Sequence, residues 1–317
     1  MNIIAWFAEL PEENIGIVAG GKGAGLCHLY RNAFPVPEGF VVCSGVFDDF
    51  MKKNGLWEKV FEKLGGIDWY DEGGSLSSAG EAIRGMITAA PVPEALAREL
   101  AENYARLGDN AFVAVRSSGT AEDLDDASFA GQQETFLYVA GPGEVINTVK
   151  ACWASLYNDR AIFYRREKNF NEHGISIAVV VQRMVNSEKA GVIFTANPIN
   201  KSRDTVMIEG AWGLGEGVVQ GIVNPDNYLI KKGSYEVVSE YVAEKEIMVV
   251  RKAEGGVREV EVPEQLRAAP ALTEDERKKL VDLAVRAEDL FGKPQDLEWA
   301  VEGGKIYLLQ SRPITTL

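Results

Sequence analysis

The sequence predicts a mixed fold, α/β or α+β, divided near residues 190–205 into an N-terminal lobe (1–195) and a C-terminal lobe (196–317). Three observations point there. Segments at strand spacing alternate with segments at helical spacing along the whole chain. The 317 residues allow two or three lobes at roughly 100–200 residues per domain. Hydrophobic residues make up 46% and charged residues 25%, ordinary globular values that argue against large-scale disorder.

Gly20 to Gly25 reads Gly-Gly-Lys-Gly-Ala-Gly and precedes Leu26, Leu29 and Tyr30 at helical spacing. A glycine loop is therefore expected to open onto a helix N-terminus, and Pro35 and Pro37 stop the helix. Phe40 to Cys43 reads as a short buried strand. Phe47, Phe50, Met51, Val60, Phe61 and Leu64 fit helices broken near Gly55, and the Gly- and Ser-rich stretch 65–80 reads as loop. Amphipathic helices follow over 79–89 and 94–107, the second introduced by Pro91 and Pro93. Phe112 to Val115 is an apolar strand ending at Arg116, and the acidic stretch 117–128 is too polar for a core. Helical spacing over 144–168 leads into the run Ile175 to Val181, a buried strand by its β-branched content. Strands are expected at 191–194 and 205–209, separated by Asn197-Pro198 and a polar turn. Short strands follow Tyr228, the Thr273-x-x-Glu276 pattern caps a helix over 273–291, and the chain ends in a hairpin around Gly303-Gly304.

Lys and Arg number 33 against 47 Asp and Glu, a formal charge of −14. That balance argues against a surface that coats nucleic acid, and no basic cluster is present to hold a membrane surface. Cys27, Cys43 and Cys152 are widely spaced, so neither a disulfide framework nor a zinc site is expected, and a reducing, cytoplasmic compartment fits. Met1 to Pro11 lacks the basic start of a secretory signal. The apolar run Ile177 to Val181 is far short of the roughly 20 residues of a membrane-spanning helix.

Four constellations carry chemistry. In Gly20 to Gly25, missing Cβ atoms let backbone N–H groups approach an anion while Lys22 supplies a point charge; the plainer reading is a glycine turn capping a helix. Arg116 offers a planar fork matched to phosphate oxygens, and Gly131 and Thr135 would add a backbone donor and a hydroxyl. The competing reading pairs Arg116 with Glu122, Asp123, Asp125 or Asp126. The strand Ile177 to Val181 runs into Gln182, where main-chain groups can meet an adenine edge. Finally, Glu298 and Gln310 sit on the two arms of the terminal hairpin and offer the hard oxygen donors that magnesium prefers. A bare two-residue Gly303-Gly304 turn would put Glu298 opposite Leu309, whereas a three-residue loop or a bulge would put it opposite Gln310. The second register is the expected one. The alternative is a surface hairpin with Glu298 paired to Arg312.

Taken together and in order, these segments resemble the ATP-binding domain of the phosphoenolpyruvate synthase and pyruvate phosphate dikinase family, an ATP-grasp-like two-lobed nucleotide-binding fold that also begins rifamycin phosphotransferases. The resemblance rests on Gly20 to Leu26, Phe34 to Val42, Val115 to Asp123, Ser128 to Gln132, Glu209 with Gly213-Leu214-Gly215-Glu216, Asn224-Pro225-Asp226 and the closing Gln310-Ser311-Arg312-Pro313. It implies a domain that binds ATP with Mg2+ between two lobes and donates a phosphoryl group to a histidine on a swivelling domain, in cis or in trans. Carried over residue by residue, it implies that Lys22 and Arg116 hold phosphates and that Gly131 and Thr135 belong to the loop covering them. Gln182 would lie at the adenine end, Glu298 and Gln310 would bind magnesium, and Arg312 would brace the transferred group.

The chain holds only His28 and His173, neither in a phosphohistidine-type segment, so the acceptor is expected elsewhere. The synthase reaction, pyruvate to phosphoenolpyruvate, is the leading implication. Phe194-Thr195-Ala196-Asn197-Pro198 looks at least as much like the antibiotic phosphotransferases, and a non-catalytic ATP-sensing module is the alternative from another class.

Overall fold

In the computed structural model, which describes residues 3–71, 73–120, 134–168 and 175–315, every pairing between named strands is antiparallel. The fold is therefore α+β. The chain divides into two compact units, one of Met1–Ala24 and Glu38–Met184, the other of Gly25–Pro37 and Val185–Leu317. The break thus falls after Met184, not at 195, because residues 189–194 pair within the second unit's sheet.

The first unit contains β1 (Ile4–Trp6), the start of α1 (Ile15–Arg31), β2 (Gly39–Val42), α2 (Ser44–Lys53), α3 (Leu56–Gly65), α4 (Gly74–Ala89) and α5 (Glu94–Arg106). It continues through β3 (Val113–Gly119), β4 (Thr135–Val139), α6 (Pro142–Ala154), α7 (Asp159–Glu167) and β5 (Ile177–Arg183). The strands order as β1-β2-β5-β3-β4. The β-branched run of β5 takes the central place, where both faces are buried. In the helical layer, Trp153 of α6 is fully buried against Phe50 of α2 at a centroid distance of 4.8 Å.

Three local expectations change. Helix α4 begins at Gly74, inside the expected loop, where Asp71 accepts from the Gly73 and Ser75 N–H groups and so organises its first turn. The helix expected over 144–168 is two, because Asn158 caps α7 by accepting from the Ala161 N–H at 2.7 Å. Strand β3 runs on through Ser117 and Ser118, which are fully buried despite their polarity.

The second unit contains β6 (Lys189–Phe194), β7 (Thr205–Trp212), α8 (Glu216–Val219), β8 (Asp226–Lys231), β9 (Val237–Tyr241), β10 (Ile247–Arg251) and β11 (Val257–Glu261). Then come α9 (Glu264–Arg267), α10 (Glu274–Phe291), β12 (Gln295–Glu302) and β13 (Lys305–Pro313). Six strands order as β13-β12-β6-β7-β8-β9, and β10 and β11 form a separate hairpin. The capping box at Thr273 and Glu276 starts α10, whose Leu280, Val281, Ala284 and Ala287 face inward. Trp299 is fully buried and fits because Gly210 leaves room: a Cβ there would lie 2.8 Å from its ring.

Asp226, of the Asn224-Pro225-Asp226 motif, is the polar hub of this unit. It is fully buried and paired with Lys245, and it accepts from the Ala243 N–H at 2.9 Å, the Ala271 N–H at 2.7 Å and the Tyr228 hydroxyl at 3.2 Å. One carboxylate thus fixes β8, the segment before β10 and the approach to α10. Removing one partner of a buried pair strands the other charge. Lys245→Ala should therefore lower the unfolding free energy by about 3 kcal/mol in urea titration; wild-type stability would show that the backbone donors alone hold Asp226.

Candidate functional site

The glycine run is not a loop before a helix. It lies inside α1, where Gly20 adopts φ 68° and ψ 173° and breaks the helix in two. That conformation is essentially restricted to glycine, and a Cβ on Gly20 would collide with the carbonyl and hydroxyl of Ser118. The Ser118 hydroxyl bridges the break, accepting from the Gly23 N–H at 3.1 Å and donating to the Ala19 carbonyl at 2.8 Å. This explains how β3 carries buried serines: the Ser118 hydroxyl replaces backbone partners lost at the kink, and the Ser117 hydroxyl is satisfied separately by donating to the Glu134 carbonyl at 3.2 Å.

Lys22, half-buried just past the kink, donates to the Ser117 carbonyl at 3.2 Å. Pairing puts Arg116 opposite Thr135 on β4 and opposite Val180 on β5. Residues two apart on a strand share a face, so Ser118 and Gln182 join Arg116 and Thr135 on one face of the sheet. Gly23 packs on that same face, its Cβ position 3.5 Å from Val180 Cγ2. Lys22, Arg116, Thr135 and Gln182 therefore belong to one surface of the first unit. Arg116 and Gln182 are buried and Thr135 is exposed. Gly131 and His173 lie outside the described residues.

In the second unit, the Gly303-Gly304 turn is a two-residue one, both glycines at positive φ, with Glu302 opposite Lys305. A bulge between Glu298 and Trp299 then shifts the ladder so that Trp299 meets Leu308 while Glu298 meets Gln310. The two oxygen-bearing side chains stand on the same face. Arg312 does not pair with Glu298. Its Nε and terminal nitrogen donate to Asp296 at 2.8 and 2.7 Å. Within this unit, Gly25 of α1 comes close to β13: a Cβ there would lie 2.9 Å from the Ser311 carbonyl.

The pairing also exposes what the sequence reading passed over. Gln310, Glu298, Val192, Glu209 and Asn227 form one cross-strand row through β13, β12, β6, β7 and β8. Glu209, quoted above only as part of a motif, thus shares the Glu298 face, and its carboxylate accepts from the Asn227 amide at 3.3 Å. The Gly213 end of its motif is pinned by a Leu214 N–H bond to the Val249 carbonyl at 2.9 Å, and Glu216 opens α8. Burial pushes the Glu209 carboxyl up, opposed by the Asn227 bond and assisted by the Asp296 charge. Asp296 is pushed up as well, since burial outweighs the Arg312 pairing and Glu298 adds like charge. The row thus carries two carboxylates, Glu298 and Glu209, on one face. Among the described residues no group of three His, Cys, Asp or Glu side chains is placed to hold a metal alone. Glu298 and Gln310 fit the pattern of magnesium, which is typically held by one or two carboxylates together with substrate phosphates and water.

Two outcomes follow from this geometry. Gly20→Ala should destabilise by at least about 2 kcal/mol, since it combines a forbidden backbone region with a collision at Ser118; an unchanged melting temperature would mean the kink is dispensable. A carboxyl whose folded pKa lies above its unfolded one favours folding below the unfolded value and loses that contribution as pH rises through the folded value. Ionised Glu209 therefore costs stability at neutral pH, and Glu209→Gln should raise the melting temperature there, the gain disappearing once the medium is acid enough to protonate ordinary carboxyls. A gain that persisted in acid would assign the effect to packing.

Residues 17–317 match the family described as pyruvate phosphate dikinase, AMP/ATP-binding domain. The chain is 46% identical over 322 residues to a probable phosphoenolpyruvate synthase of Methanocaldococcus jannaschii, covering 100% of this chain and 27% of that protein. It is 47% identical over 319 residues to a probable phosphoenolpyruvate synthase of Methanothermobacter thermautotrophicus, covering 99% and 46%. A rifampicin phosphotransferase of Bacillus cereus is 38% identical over 312 residues, covering 98% and 36%. The chain thus spans less than half the length of these relatives. Among solved structures, a D-alanine–D-alanine ligase from Bacillus anthracis aligns over 95% of this chain and 62% of that one at a TM-score of 0.32 and 7% identity, too slight a likeness to bear on the fold. With almost its whole length matched, the chain belongs to the pyruvate phosphate dikinase AMP/ATP-binding domain family.

Proposed function

We propose that this chain is the ATP-binding phosphoryl-donor part of a phosphoenolpyruvate synthase, ATP-grasp-like in organisation and acting in the cytoplasm. The observation that carries the reading is the pairing of Glu298 with Gln310 on one sheet face, with Arg312 beside them on the same strand as Gln310. Lys22 and Arg116 bind phosphate oxygens, and Thr135 and Gly131 close over them. Gln182 serves the adenine end. Glu298 and Gln310 would hold Mg2+, which would supply neutralising charge at the phosphates. Arg312, kept in place by Asp296, braces the group in transfer, where a fixed cation lowers the cost of developing charge. The acceptor is a histidine on a separate swivel domain, in cis or in trans: the bond from phosphorus to the imidazole nitrogen forms as its bond to the leaving phosphate oxygen breaks.

Pyruvate is favoured over a rifamycin as the final acceptor by identity, 46–47% to the two synthases against 38% to the antibiotic phosphotransferase. Three buried free cysteines support the reducing compartment, burial pushing the Cys43 thiol up to about 11. Among the described residues no helix is long and apolar enough to cross a membrane.

Incubating the chain with magnesium and phosphate-labelled ATP should label the histidine of an added swivel domain, and Lys22→Ala should slow that labelling on the order of 10²-fold. ATP binding without any labelling at saturation would leave the sensing module as the better reading.

A further inference from the structure

The connection between β6 and β7 is built to hold one shape. Asn197, 6% exposed, accepts at its side-chain oxygen from the Ile199 N–H at 2.8 Å and the Asn200 N–H at 3.3 Å. Its own N–H donates to the Ser202 carbonyl and its carbonyl accepts from the Lys201 N–H, both at 2.9 Å. Below the turn, Thr195 and Ala196 are fully buried, and Thr195 is tied twice to Gln295 at the start of β12, each bond 2.8 Å. At the tip, Ile199 is 84% exposed, the most exposed large aliphatic side chain among the described residues. A braced backbone that holds an aliphatic side chain in water has the form of an anchor awaiting a recess, since little ordering cost remains to be met on binding.

The surroundings select the partner. Lys201 and Arg203 on the turn, and Lys293 just before β12, are exposed and take part in no ion pair among the described residues. Against the one exposed carboxylate on the turn, Asp204, these three cations leave a net positive rim around an apolar tip in a chain of net charge −14. It sits at a meaningful end of the sheet: Phe194, the last residue of β6, pairs with Asp296, which holds Arg312. A partner seated on the turn stands next to the arginine proposed to brace the transferred group.

We infer that the turn Asn197–Ser202 is the docking element for the phosphoacceptor domain, which meets it with a small apolar recess rimmed by carboxylates. This rests on the phosphoryl-donor reading above. Charge complementarity sets the encounter and Ile199 the residence, the usual division between rim and anchor.

Binding of this chain to the separately produced histidine-bearing domain, followed by fluorescence anisotropy at low and high salt, tests it. Ile199→Asp and the double variant Arg203→Glu/Lys293→Glu should each weaken binding about 10-fold or more. The charge variant should also flatten the salt dependence, and both should keep the wild-type melting temperature and Mg-ATP affinity. The inference is overturned if the variants bind as tightly as wild type or if wild type does not bind the domain. It is equally overturned if Ile199→Asp instead changes self-association in sedimentation, which would make the turn an interface between copies. Transfer of label from Mg-ATP to a saturating excess of the histidine-bearing domain decides the donor reading separately, because at saturation that result does not depend on the turn.

Discussion

A single bulge in the terminal hairpin decides what the second unit can do. The two-glycine turn alone would carry a regular ladder in which Glu298 faced Leu309 and Gln310 pointed to the other side of the sheet. The extra residue on β13 reverses that strand's alternation once, so Gln310 joins Glu298 on one face, while Trp299 stays on the other, where Gly210 leaves room for it. The residues that bury the most apolar surface and those that offer oxygen donors are adjacent in sequence, and the strand separates them.

The first unit solves a comparable problem with a kink. A regular α1 would leave its backbone groups paired internally; the break at Gly20 frees some of them next to β3. Ser118 takes up one donor and one acceptor, which keeps the break from costing two unsatisfied groups in a buried setting. Lys22 and Arg116 are thus held on one surface, and whole-chain charge is silent about it. A formal charge of −14 coexists with local concentrations of cationic side chains, here and at the turn around Ile199. Net charge describes the far field, whereas a phosphate is bound by the near one.

Much of this was legible in the sequence. The capping box of α10 and the buried strand β5 follow from spacing, and the Glu298–Gln310 register, expected from either a three-residue loop or a bulge, is reached by the bulge. Other features were not. The helix before Gly20 was missed because a glycine run reads as loop when only propensity is weighed, and propensity yields to a serine that pays back the broken bonds. Ser117 and Ser118 read as exposed because their partners lie about a hundred residues away in one direction and seventeen in the other. Glu209 drew no attention as a site residue: one acid within a strand has many uses, and only the pairing of five strands shows that it lies in line with Glu298 and Gln310. Asp226 went the opposite way, from a motif suggestive of function to a structural hub, because its partner Lys245 carries no local signal.

The proposed coupling of a magnesium ion to the nucleotide rests on Glu298 and Gln310. Its most direct test is calorimetric titration of ATP with and without magnesium, in wild type and in Glu298→Gln. Magnesium should tighten ATP binding to the wild type by on the order of 10-fold or more, and this coupling should be lost in the variant while metal-free affinity changes little. Equal magnesium coupling in both proteins would contradict it and place the metal elsewhere.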